Sequence, residues 1–188
     1  MKDFSYADCF FNGTFASANA IEAPRDRVFR SVLAKFVPNP VTVFQVGAIE
    51  TFETKFRYGS GWSDLLFGEY VSMYGGLLKI VDVNMDHLAH SYYAASKMGY
   101  EVSLGFGDAI DFIVPGFDIY YLDGADEPLG NAQTLAQFKV IEGTDCCVIV
   151  DDVPSKAQDL IEYLKSTGQE YSTHAVGNGM LTIDMRDN

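Results

Sequence analysis

Basic residues are scarce in this chain: 13 lysines and arginines stand against 26 aspartates and glutamates, for a formal net charge of −13. A protein that tracks a phosphate backbone needs a basic stripe to displace counterions. None is present, and the densest basic cluster, RDRVFR (25–30), has helical spacing and lies beside acids. Nucleic acid is not an expected partner. Cysteine is also rare, at 3 residues in 188, two of them adjacent in a strand-like run. That is no disulfide framework. A reducing, cytoplasmic setting is expected, with Cys146 and Cys147 as small buried hydrophobes. Long apolar runs are missing as well: none approaches the roughly 20 residues that span a bilayer, so no membrane partner is expected. The opening MKDFSYADCFFNGTF mixes acids with aromatics and has no basic leader, so no signal peptide is expected either.

What the chain does have is apolar and aromatic material in quantity, 48% and 14% of residues. That suits one globular domain over 1–188, with an N-terminal helical segment (1–40) ahead of an α/β core (41–188). APRDRVFRSVLAKFVPNP reads as a short amphipathic helix that Pro38 and Pro40 stop. Strand-like runs then alternate with helical ones. VTVFQVG precedes the helix GWSDLLFGEYVSMYGG, and LLKIVDV precedes MDHLAHSYYAASKMG. EVSLGFG is followed by the short helical GDAIDFI, FDIYYLDG by PLGNAQTLAQFKVIEG, and DCCVIVDD by VPSKAQDLIEYLKSTG. The end, EYSTHAVGNGMLTIDM, reads as a hairpin turning at Gly177–Asn178–Gly179. Such alternation predicts a doubly wound, mostly parallel sheet with a C-terminal antiparallel hairpin.

Ligands of these sheets sit beyond the carboxyl ends of the strands. The residues there are Gly47, Asp82, Gly107–Asp108, Asp123 and Asp151–Asp152, so acids gather along one edge. Two adjacent carboxylates at the end of the buried run CCVIV need compensation. A divalent cation with oxygen ligands would supply it, and so would capping of the next helix, which Pro154 helps to start. No GxGxxG follows the first strand and no GxxxxGK[ST] occurs, which disfavours a dinucleotide or a P-loop nucleotide. A glycine turn after strand one and an acid ending strand two suit a nucleoside without a pyrophosphate, the acid accepting from both ribose hydroxyls.

These residues resemble the class I S-adenosylmethionine-dependent methyltransferases, which have a Rossmann-like sheet. Gly47–Ala48 with Gly61–Trp62–Ser63 is similar to the glycine loop of their first motif, and KIVDVN places Asp82, followed by Val83, at the ribose-binding acid. GDAIDFI resembles the adenine-side motif, with Asp108 and Ala109 beside the base, and FDIYYLDGAD resembles the fourth-strand motif. The resemblance runs over residues 41–153. It is closest to the metal-dependent, catechol-type O-methyltransferases, which implies S-adenosylmethionine as cofactor, a divalent cation such as Mg2+ on Asp123, Asp151 and Asp152, and a hydroxyl on a small molecule as methyl acceptor. The chain departs from that pattern at Gln45, where the family has an acid, and at Asp152, where it has Asn. Asp126 stands where the family often has a lysine base. Asp123 is then the catalytic strand-end acid, with Asp126 or His174 left to take the proton. Trp62 is expected to wall the cofactor pocket.

The DGADEPLG turn after strand four lacks the Asn/Asp-Pro-Pro-aromatic pattern of enzymes that methylate nucleic-acid amines. The alternative is a degenerate methyltransferase fold that serves as a binding or assembly module. It would show Asp82 and Asp108 turned away from any cleft. The sequence is compatible with a homo-oligomer.

Overall fold

The computed structural model of the protein describes residues 25–51, 62–125 and 128–186. In chain order the elements are α1 (Asp26–Leu33), β1 (Val41–Val46), α2 (Ser63–Tyr74), β2 (Gly76–Asp82), α3 (Met85–Met98) and β3 (Ser103–Phe106). A single 3-10 turn (Ala109–Asp111) precedes β4 (Ile119–Leu122), α4 (Gly130–Ile141), β5 (Cys147–Val150), α5 (Val153–Lys156), α6 (Gln158–Thr167), β6 (Ser172–His174) and β7 (Met180–Asp184). The strands form one sheet in the order β3-β2-β1-β4-β5-β7-β6. The first five run parallel, while β7 is antiparallel to both β5 and β6. This is the Rossmann-like arrangement with a terminal hairpin that the alternation of strands and helices predicts.

Strand side chains alternate between two cores, as a sheet covered on both faces requires. Val41, Val43, Ile119, Tyr121, Cys147 and Ile149 join the core under α1, α2 and α3. Phe44, Val46, Tyr120, Leu122, Val148 and Val150 join the opposite core with Phe138 of α4 and Leu160 and Leu164 of α6. Burial drives both Cys146 and Cys147 thiols well up, to about 11 and 12, so they act as small core residues, not as nucleophiles.

Local chemistry sets the helix ends. The Asn84 side chain caps α3 by accepting from the Asp86 N–H at 2.9 Å, and Gly99 ends it in the left-handed region. The run VPSKAQDLIEYLKSTG, expected as one helix, divides at Ala157 into α5 and α6. The cause is a long-range hydrogen bond: the Gln158 N–H donates to Asn131 Oδ1 at 2.6 Å instead of to the preceding turn. Among the described residues no helix is long and apolar enough to cross a membrane.

Candidate cofactor and acceptor site

From β1 the chain moves to β2 on one side, then returns at β4 on the other. Connections that diverge in this way leave a crevice beyond the strand ends. Here the crevice is a cavity of about 520 Å³, within the size range of small-molecule sites. Its wall includes Gly47, Ala48, Asp82, Val83, Asp108, Ala109 and Asp123, together with Glu50, His87, Leu129, Gln137, Asp152 and Lys156. Asp82 and Asp108 both face it, unlike the arrangement expected of a degenerate module.

Gly47 has to be a glycine. Its φ is +90°, and a Cβ there would sit 2.4 Å from the Asp123 carbonyl oxygen, so the β1 and β4 ends can approach only without a side chain. Asp82 holds the next residues: Oδ2 accepts from the Ala48 N–H at 2.9 Å, and Oδ1 from the Asn84 N–H at 2.7 Å. His87 approaches the same carboxylate at 3.4 Å. Asp108 Oδ1 accepts from the Ile110 N–H at 3.1 Å and so fixes the turn after β3.

Trp62 and Ser63 lie elsewhere. Both are buried at the start of α2, and the indole packs in the core under α1 and α2 instead of walling the cavity. Burying so large an apolar surface in the core outweighs any gain at a polar rim. Gly61 and Asp126 fall outside the described residues. His174 stands at the end of β6, with β7 between it and β5, and its Nε2 pairs with Thr182 Oγ1 at 3.0 Å. It does not line the cavity.

Beneath the glycine turn is a buried polar cluster that sequence reasoning missed. Gln45 donates through Nε2 to the Gly47 carbonyl at 2.8 Å and to Asp64 of α2. Ser91 of α3 also donates to Asp64, and its oxygen accepts from the Ile49 N–H at 3.0 Å. A carboxylate is thus brought to the end of β1 from another element. Burial raises Asp64 to about 7, against the pull of the Ser91 and Gln45 hydrogen bonds. The unfolded chain restores an ordinary value of about 4.

Between those values the folded protein holds a proton that the unfolded chain releases. This group's contribution is therefore full below about pH 4 and is lost as pH rises through about 7. Relative to Asp64→Asn, the parent should lose on the order of 4 kcal/mol across that window, then level off. Chemical denaturation on both sides of the window measures this, and a pH-independent difference contradicts it.

The strand-end acids find their compensation within the chain. Arg25 Nη1 meets Asp151 Oδ2 at 2.9 Å, with both side chains more than nine-tenths buried. Tyr121 lies between two carboxylates, 2.8 Å from Asp123 and 2.9 Å from Asp151, and its single proton serves one at a time. Burial, then Asp123 and Asp151, push the Tyr121 hydroxyl far above its ordinary value. Asp151 is also pushed up, by burial first and Asp123 second, with Arg25 pulling the other way. Lys156 Nζ lies 2.5 Å from Asp123 Oδ1 and 3.5 Å from Asp152 Oδ2.

Neither expected compensation matches this geometry. Asp152 precedes α5 with φ +52° and makes no side-chain cap. Among the described residues no group of three His, Cys, Asp or Glu side chains is placed to share a metal ion. Asp123 and Asp152 converge on an ammonium, and Asp151 turns to a guanidinium. The set Asp123, Asp151 and Asp152 does not fit a divalent cation. One signal for Lys156 was in the sequence: Asp152 and Lys156 are four apart where Pro154 begins a helix.

The donor set does fit S-adenosylmethionine. Asp82 and Asp108 stand at the ends of β2 and β3, Gly47 permits close approach, and Glu50, Asp82, Asp108, Asp123 and Asp152 give the wall a negative field suited to a sulfonium cation.

No protein-family model matches the sequence, and no curated protein matches it. Solved structures do. A methyltransferase from Geobacter sulfurreducens is similar with a TM-score of 0.61 at 15% identity, over 89% of this chain and 80% of its own. A candidate O-methyltransferase from Klebsiella pneumoniae is similar with a TM-score of 0.61 at 16% identity, over 90% and 83%. The precorrin-6y C5,15-methyltransferase of Geobacter metallireducens gives 0.57 at 15% identity, over 84% and 86%. The chain has the fold of the class I S-adenosylmethionine-dependent methyltransferases.

Proposed function

We propose that the protein is an S-adenosylmethionine-dependent methyltransferase acting on a hydroxyl of a small molecule. The observation that supports this reading is the cavity at the switch point, whose wall includes Gly47, Asp82 and Asp108, the residues that the resemblance assigns to the turn, the ribose and the adenine. Beyond them, Asp123, Asp152 and Lys156 form a charged far side with room for an acceptor. The fold alone does not fix the acceptor, since its neighbours include an enzyme named for carbon methylation of a precorrin.

S-adenosylmethionine supplies an electrophilic methyl on a sulfonium leaving group, and the acceptor oxygen takes the methyl while giving up its proton. The chain's own task is alignment and charge control. Asp82 and the Gly47–Ala48 turn hold the nucleoside end. The Asp123–Lys156 pair orients the acceptor hydroxyl, and Asp152, on the same wall, is the more exposed carboxylate available to the proton. Leu129 and the α4 side chains Gln133 and Gln137 line that side of the cavity. Incubation with methyl-labelled cofactor and a panel of phenols, sugars and hydroxy acids tests the reading. Label transfer that Asp123→Ala abolishes is expected. Tight cofactor binding with no transfer to any panel member would contradict a hydroxyl acceptor.

A further inference from the structure

We propose that Lys156 is the resident cation of the acceptor side and that the site works without a divalent metal. The proposal rests on the methyl-transfer reading for its purpose, but on separate observations for its geometry. The Lys156 ammonium bridges the ends of β4 and β5, 2.5 Å from Asp123 Oδ1 and 3.5 Å from Asp152 Oδ2. It therefore occupies the space a cation shared by those two strand ends would need. Its side chain is only 5% exposed, yet it lies on the cavity wall.

The position is built into the fold. Gly130, the first residue of α4, has no side chain where a Cβ would lie 3.2 Å from Lys156 Cγ and 2.3 Å from the Ala125 carbonyl oxygen. The lysine stem is thereby held between α4 and α5, with its charged end at the strand ends. The third carboxylate, Asp151, is separately committed to Arg25 at 2.9 Å and to Tyr121. A magnesium ion needs near-octahedral oxygen ligation at about 2.0–2.1 Å, and these carboxylates already hold fixed cations in its place.

A positive charge beside an acceptor oxygen stabilises the negative charge that builds as its proton leaves, and the burial of Lys156 and Asp123, 5% and 13% exposed, reduces screening by solvent. Lys156 does this as a point charge with no exchange of ligands. Mn2+ alone is the probe, added to the full chain with and without S-adenosylhomocysteine and followed by its electron paramagnetic resonance signal. The parent should hold no stoichiometric Mn2+, and methyl transfer should be insensitive to chelator.

Lys156→Met removes the charge and exposes Asp123 and Asp152, so it should gain one Mn2+ site roughly a hundredfold tighter than any in the parent. Lys156→Gln serves if Lys156→Met does not fold. One equivalent of Mn2+ bound by the parent, and lost in Asp123→Asn, would overturn the proposal. So would folded Lys156 variants that gain no Mn2+ site. Failure of the parent to bind S-adenosylhomocysteine in the same samples would instead remove the methyltransferase reading and leave the metal result standing.

Discussion

Asp151→Ala should unfold the protein at a markedly lower temperature than the parent. The substitution deletes the carboxylate that lies 2.9 Å from the Arg25 guanidinium, in a pair whose side chains are 5% and 8% exposed. Removing one member of a buried ion pair costs about 3–5 kcal/mol. For a chain of this size each kcal/mol lowers Tm by roughly 2–4 °C, so a drop on the order of ten degrees is expected. Asp151→Leu combined with Arg25→Met removes both charges and should recover much of the loss, because the pair itself adds little over apolar packing. Differential scanning calorimetry of the single and double variants decides it. A single variant within a degree or so of the parent would show that Arg25 is not held by Asp151.

Asp82→Ala should weaken binding of S-adenosylhomocysteine by about ten- to a hundredfold, as loss of a charge-assisted bond to a desolvated hydroxyl costs roughly 1.5–3 kcal/mol. The same change releases the Ala48 and Asn84 N–H groups, 2.9 and 2.7 Å from the carboxylate, and so loosens the turns that follow β1 and β2. Asp82→Asn keeps an acceptor oxygen but not the charge, and should fall between the two. The homocysteine end of the ligand is unaffected, so binding of adenosine should suffer as much as binding of the whole ligand.

The sheet was legible because its evidence is local. Runs such as VTVFQV and CCVIV are strands buried on both faces, and GNG marks the hairpin that places β7 beside β5. Cavity-lining positions fixed by the strands themselves were legible for the same reason: Gly47, Asp82, Asp108 and Asp123 follow directly from where each strand ends. What could not be read was compensation from distant chain. Asp151 is balanced by Arg25, 126 positions away, and Asp123 by Lys156, 33 positions away. Three clustered acids read alone imply a metal; with Arg25 and Lys156 beside them they do not. Gln45 shows the same limit, since nothing beside it in the sequence announces its partner, the buried carboxylate of Asp64 in α2, 19 positions on. Trp62 was misplaced because adjacency to a glycine motif says nothing about which way a helix turns its first side chain. His174 was misplaced because β7 inserts between its strand and the cavity.

On the proposed reading, the cavity beyond β1, β2 and β3 holds the methyl donor. Isothermal titration of the full chain with S-adenosylhomocysteine tests it most directly. One site per chain is predicted, with affinity in the micromolar range or tighter, weakened by Asp82→Ala and unchanged by added magnesium or chelator. Absence of binding at millimolar ligand, by a parent protein shown to be folded, would contradict the account.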